Sequence, residues 1–128
     1  MIRDERAIVI DIDGTICAHR TDANERYEDL LPIPDVVNVL RRYKSEGFYI
    51  ILSTSRNMKT HNGNLGLITA TTAKSLMQWL EKHEIPYDEL HVGKPWPGRG
   101  GFYVDDRAIR PDEFVTLRYE EILDIVGS

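Results

Sequence analysis

The chain has 128 residues, of which 29% are charged, with a formal net charge of −5 and a single cysteine. That length suits one domain, residues 1–128, able to bury a core without disulfide or metal staples. The acidic balance disfavours a general nucleic-acid or anionic-membrane surface, because phosphate backbones attract clustered cations. It leaves room for a small phosphorylated substrate held by a few local cations. Cys17 alone excludes an internal disulfide framework and fits a reducing compartment. Met1 to Arg6 lacks a signal peptide's apolar core, and no apolar run approaches the ~20 residues that span a bilayer. A soluble, cytoplasmic protein is expected.

The first apolar run, Ala7-Ile8-Val9-Ile10, ends abruptly in Asp11-Ile12-Asp13-Gly14-Thr15. Consecutive apolar residues predict a strand buried on both faces, as in a parallel sheet. If strand geometry persists through Ile12, Asp11 and Asp13 project together. Their mutual repulsion calls for a divalent cation or a proton held by one of them. A solvated acid pair in an Asp-Gly turn is the plainer alternative. Cys17 to Leu31 is polar and aperiodic and reads as a loop or small hairpin. His19 and Arg20 within it either touch a ligand or belong to an exposed flap.

Pro32-Ile33-Pro34-Asp35 opens a helix whose inner face is Val36, Val39, Leu40 and Tyr43, with Gly47 as its stop. Phe48 to Leu52 is a second buried strand, delivering Ser53-Thr54-Ser55-Arg56. Asn57 to Ile68 reads as a loop, functional or merely connecting. A helix is predicted from about Thr71 to His83, capped by Thr71 or Thr72, with Ala73, Leu76, Met77 and Leu80 inward. Met77 and Trp79 read as packing residues. Tyr87 to Val92 is a third strand, leading to Gly93-Lys94-Pro95. After the loop Trp96 to Gly101, Phe102-Tyr103-Val104 is a fourth strand ending in Asp105-Asp106-Arg107. Phe114 to Leu117 is a fifth strand, and Tyr119 to Val126 a terminal helix. Alternating strands and helices predict an α/β, doubly wound, Rossmann-like parallel sheet of about five strands. Helices cover both faces, and ligands bind outside the carboxyl ends of the strands.

Every polar cluster closes an apolar run, so the parallel sheet gathers the clusters along one edge. Asp11, Asp13, Thr54, Lys94, Asp105 and Asp106 then share a site. Four carboxylates without a Cys/His cluster suit Mg²⁺, which takes a few carboxylates, water and phosphate oxygens. An aspartate can attack a phosphoryl group. A second carboxylate one strand step away can give and take protons. Lys94 can offset the charge of nucleophile and phosphate, and Thr54 can donate to a phosphate oxygen. Gly14, Thr15, Ser55, Arg56 and Asn57 flank these groups and are candidates for touching the substrate.

This pattern resembles the haloacid dehalogenase superfamily of phosphatases from about Ala7 to Leu117. The resemblance implies nucleophile Asp11 and acid/base Asp13. It also implies Mg²⁺ bound by the Asp11 carboxylate, the Asp13 main-chain carbonyl and an acid of the Asp105-Asp106 pair, Asp105 first. The phrases Ser53-Thr54-Ser55-Arg56-Asn57-Met58, Gly93-Lys94-Pro95-Trp96 and Gly101-Phe102-Tyr103-Val104-Asp105-Asp106-Arg107 resemble small phosphatases associated with bacterial capsular polysaccharide biosynthesis. Two departures stand out. No cap domain fits between the motifs, and only ten residues separate Lys94 from Asp105, leaving no helix to place Lys94. The sequence therefore predicts a capless, Mg²⁺-dependent phosphomonoesterase for a small phosphorylated metabolite, such as a sugar phosphate. The alternatives are a phosphatase of nucleic-acid ends and a non-catalytic or receiver-like phosphate-binding module. A homo-oligomer in which one subunit covers the next subunit's site would compensate for the missing cap.

Overall fold

The computed structural model describes residues 6–127. Three strands form the sheet: β1 (Ala7–Ile10), β2 (Tyr49–Thr54) and β3 (Glu89–Val92). Their order is β1-β2-β3 and both pairings are parallel. Ile10 stands opposite Leu52, and Thr54 opposite Val92. The central strand is buried through Ile50, Ile51 and Leu52 in succession. Consecutive burial means both of its faces are covered, as expected of a parallel sheet. The βαβ unit is present as the apolar runs predict, but β1 is not buried on both faces: it is an edge strand of the described sheet, with Ala7 and Val9 exposed on one side and only Ile10 buried.

Helix α1 (Pro34–Ser45) begins with proline inside its first turn and buries Val36, Val39, Leu40 and Tyr43, together with Val37. The second helical stretch starts earlier than its periodicity predicts. It comprises α2 (Leu65–Ile68), a π-helical segment (Thr69–Ala73) and α3 (Lys74–Lys82). Its cap is Asn64, whose side chain accepts the Leu67 N–H at 3.1 Å. Thr71 and Thr72 are not caps. The Thr71 hydroxyl donates to the Leu67 carbonyl, and the Thr72 hydroxyl to Asn57 Oδ1 at 2.7 Å. On α3, Trp79 is buried beside Leu76 and Leu80, whereas Met77 is exposed. Met77 sits one step round the helix from Leu76, and the larger indole takes the inward place.

The described residues gather into two compact units that divide between Trp96 and Pro97. The second holds α4 (Pro111–Thr116) and α5 (Tyr119–Val126). Two expected strands are absent among its described residues. Phe102, Tyr103 and Val104 are exposed and form no ladder. Phe114 to Thr116 is helical, because Pro111 occupies the first turn and Glu113 Oε1 accepts the Arg110 N–H at 2.9 Å. Those start signals outweigh the β-branched residues behind them. Among the described residues the sheet thus has three strands rather than about five.

Candidate active site

Beyond Ile10 the chain leaves the ladder and curls. The Ile12 carbonyl accepts N–H groups from Thr15, Ile16 and Cys17 at 3.1, 2.9 and 3.1 Å, while the Gly14 N–H donates to the Cys17 carbonyl at 2.7 Å. Ile12, Ile16 and Cys17 are fully buried. The two acids between these anchors remain half open, their side chains 33% exposed at Asp11 and 17% at Asp13. Gly14 has φ +84°, and the His19 imidazole lies where a Cβ would stand, so only glycine fits the turn.

Lys94 reaches the first acid, with Nζ 3.8 Å from Asp11 Oδ1. No helix is needed to place it. Its N–H continues the ladder to the Thr54 carbonyl at 3.1 Å. The preceding Gly93 has φ +83°, and Leu65 of α2 packs where its Cβ would be. Burial pushes the Asp11 carboxyl above its ordinary range. Lys94, the Ile12 N–H and His19 act against this, and Asp13 adds to it.

The second acid is held differently. Arg56 grips Asp13 with two parallel bonds, Nε to Oδ2 at 3.0 Å and Nη2 to Oδ1 at 2.8 Å. This bidentate geometry is the strongest that a carboxylate commonly finds. Arg56 is only 6% exposed. Burial opposes its charge, but the bonds and attraction to Asp13 more than compensate and raise its pKa. Cys17 Sγ lies 3.6 Å from Asp13 Oδ1. Burial and the neighbouring Asp13 push that thiol up to about 12. Thr54 is buried, and its hydroxyl oxygen accepts the Arg56 N–H at 3.0 Å. That bond occupies a lone pair and leaves the hydroxyl's proton for another acceptor.

The structure thus brings Asp11 and Lys94 together, and Asp13, Arg56 and Cys17 together. Thr54 steers the Arg56 backbone. Arg56, expected to meet substrate, instead spends two donors on Asp13. The arginine two residues past Thr54 was the only signal of this pairing, because residues two apart at a strand end share a side. Asn57, with φ +62°, binds Thr72 and turns the chain into the 57–64 segment. Five further hydrogen bonds tie that segment: Met58 to Ser55, His61 to Asn57, Asn62 to Lys59, Gly63 to Met58 and Asn64 to His61. It is therefore a bonded turn system rather than a free connector. Asp105 and Asp106 lie exposed in the second unit, where Asp105 Oδ1 accepts the Arg107 N–H at 2.8 Å. Among the described residues, no three His, Cys, Asp or Glu side chains group as a metal site. No described helix is long and apolar enough to cross a membrane.

The family model for the polynucleotide kinase PNKP phosphatase domain matches residues 5–107. A crystal structure of a Vibrio cholerae protein shares 45% identity over 94% of this chain and 96% of that one, with a TM-score of 0.87. The D,D-heptose 1,7-bisphosphate phosphatase of B. bronchiseptica, complexed with magnesium and phosphate, is 14% identical (TM-score 0.48), over 74% of this chain and 53% of that one. A chain of the Pnkp1/Rnl/Hen1 complex is 22% identical (TM-score 0.49), over 87% of this chain and 33% of that one. Among curated proteins none matches. Fold, site and family model together define a phosphoric monoester hydrolase of the haloacid dehalogenase superfamily without a cap domain. Within that class the chain belongs to the family of polynucleotide kinase PNKP phosphatase domains. The narrower likeness to capsular polysaccharide phosphatases rests on the sequence phrases alone.

Proposed function

We propose that this phosphatase cleaves a phosphomonoester on a small metabolite through an aspartyl-phosphate. The observation that carries the reading is the division between two neighbouring acids. Asp11 stands half open beside Lys94, while Asp13 is held in place by Arg56. An Asp11 carboxylate oxygen attacks phosphorus, the ester P–O bond breaks, and the leaving oxygen takes a proton from Asp13. Asp13 then accepts a proton from water as the water oxygen attacks phosphorus. The P–O bond to Asp11 breaks and inorganic phosphate departs. The Arg56 grip fixes the orientation of the Asp13 carboxyl through both halves. Lys94 offsets charge on Asp11 and the phosphoryl oxygens. Thr54 offers its hydroxyl proton, and Gly14, Thr15, Ser55 and Asn57 border the phosphate.

A hard divalent cation fits this chemistry. The part-exposed Asp11 carboxyl, with Lys94 Nζ 3.8 Å away, is an oxygen donor of the kind that Mg²⁺ takes. The resemblance implies that a cation would draw on the main-chain oxygen of Asp13, whose carboxyl is bonded to Arg56. The motif names Asp105 and Asp106 as further carboxylate ligands. Mg²⁺ there would supply Lewis-acid polarisation of the phosphoryl oxygens.

The family match favours a second reading, a phosphate at a nucleic-acid end, and withdraws the exclusion drawn from net charge. A panel of sugar phosphates, mononucleotides and 3′- and 5′-phosphorylated oligonucleotides, assayed with Mg²⁺ or EDTA, separates the two. Turnover should require Mg²⁺ and favour the small esters, and Asp11→Asn should abolish it. Hydrolysis by Asp11→Asn at the parent's rate would refute the nucleophile, and preference for oligonucleotide ends would establish the second reading.

A further inference from the structure

We infer that Tyr27 is a positioning residue: its ring holds the Arg56 guanidinium against Asp13, joining the 17–31 segment to the proton-transfer group. The inference rests on the proposed role of Asp13. Tyr27 begins a single 3₁₀ turn, Tyr27–Asp29, in a stretch that is otherwise mostly exposed. Its ring centroid lies 4.3 Å from Arg56 Cζ, and Arg20 approaches the same ring at 4.5 Å. One ring thus meets an exposed guanidinium, Arg20, and a buried one, Arg56. Both ends of the segment are tied. Cys17 bridges to Asp13 on one side and to Pro32 on the other. Beyond the turn, the buried Trp79 of α3 donates Nε1–H to the Leu30 carbonyl at 2.8 Å. The turn that carries Tyr27 is thus tied to α3 at Leu30, while the ring itself meets Arg56 and, from its own segment, Arg20.

The physical need follows from the donor count. A guanidinium has five N–H donors, and Asp13 takes two. An uncovered guanidinium would recruit water, which would compete for the Asp13 oxygens and let the carboxyl swing. A ring face supplies attraction without offering an acceptor that competes with Asp13. Tyr27 thereby keeps the carboxyl aimed for giving a proton to the leaving oxygen.

The test compares Tyr27→Leu and Tyr27→Phe on two substrates, each with Mg²⁺. An alkyl phosphate has a leaving oxygen that needs a proton; p-nitrophenyl phosphate has one that hardly does. On the alkyl phosphate, Tyr27→Leu should lower kcat by about 5- to 30-fold with KM within about twofold, the scale of one desolvated cation–π contact. The loss on p-nitrophenyl phosphate should be several-fold smaller, and Tyr27→Phe should restore both. Equal losses on the two substrates would mark a merely structural role and overturn the inference. So would an effect confined to KM, or a Phe variant as poor as Leu. A second readout needs no turnover. The Arg56 Nε–H proton should exchange slowly with water in the parent and in Tyr27→Phe, and much faster in Tyr27→Leu. Unchanged exchange in Tyr27→Leu would overturn the inference even if the parent proved inactive on every ester, an outcome that would refute the proposed function separately.

Discussion

Arg56 and Asp13 form a pair that neither residue can leave cheaply. The Arg56 side chain is almost wholly enclosed, so removing its partner strands a buried cation. Asp13→Ala should therefore destabilise the fold by about 3 kcal/mol in urea titrations, whereas an exposed ion pair would cost under about 1 kcal/mol. The variant should also lose phosphatase activity. Asp11 behaves in the opposite sense. Its carboxyl is raised in the folded state, chiefly by burial, so ionisation costs stability above that raised value and nothing well below 3.8. Asp11→Asn should then melt higher than the parent at pH 7. The advantage should shrink as the pH falls through the raised Asp11 value, and be gone near pH 3. A constant difference from pH 3 to 7 would contradict the assigned shift. The thiol beside Asp13 adds an independent check. Pushed up to about 12 and fully buried, Cys17 should resist iodoacetamide at pH 8 in the native protein and react on unfolding.

The elements that aim the site are short and depend on particular joints. Gly93 lets β3 end in a left-handed turn with Leu65 packed against it. Gly93→Ala would face both a positive φ and the Leu65 side chain. It should lower kcat by about tenfold or more, because a displacement of about 1 Å at a reacting group is expensive. Circular dichroism should show the helices intact, which would place the defect at Lys94. Much of this framework was legible in the chain. Apolar runs ending in acids, hydroxyls and lysine marked β1, β2 and β3, but only β2 carries its burial as uninterrupted hydrophobicity, since β1 leaves Val9 exposed and β3 alternates Glu89 and His91 with Leu90 and Val92. Phe102 to Val104 misled because three apolar residues announce a strand only if a neighbouring backbone pairs with them, and sequence does not record pairing. The segment from Phe114 misled because proline and acidic start signals upstream outweigh local β-propensity. The start of the second helix at Leu65 was hidden by glycine and asparagine around it. A π-helical segment also breaks the regular period there. At the site, the strand-end acids and Lys94 could be read, but not the Arg56–Asp13 grip or the Tyr27 ring above it. Those contacts join positions 43 and 29 residues apart, and no local pattern encodes them.

At the scale of the whole molecule, a net charge of −5 surrounds a site that carries Lys94, Arg56 and His19. A net negative field weakens the long-range attraction of a polyanion, but cations lining a local path can outweigh it. Salt separates these two effects. For a small phosphomonoester, the contacts lie within one Debye length and involve few released counterions, so kcat/KM should change by less than about twofold between 50 and 200 mM salt. An oligonucleotide engaged through three phosphates would follow a logarithmic slope of about −2, a fall of roughly 20-fold over the same range. With Mg²⁺ held constant, the proposed small-metabolite reading expects the flat profile on its best substrate. A steep fall on 3′- or 5′-phosphorylated oligonucleotides, together with a higher kcat/KM at low salt than any sugar phosphate gives, would assign the enzyme to nucleic-acid ends. Net charge alone would then be a poor guide, because a polyanion is recruited by the cations lining its path and not by the sum over the chain.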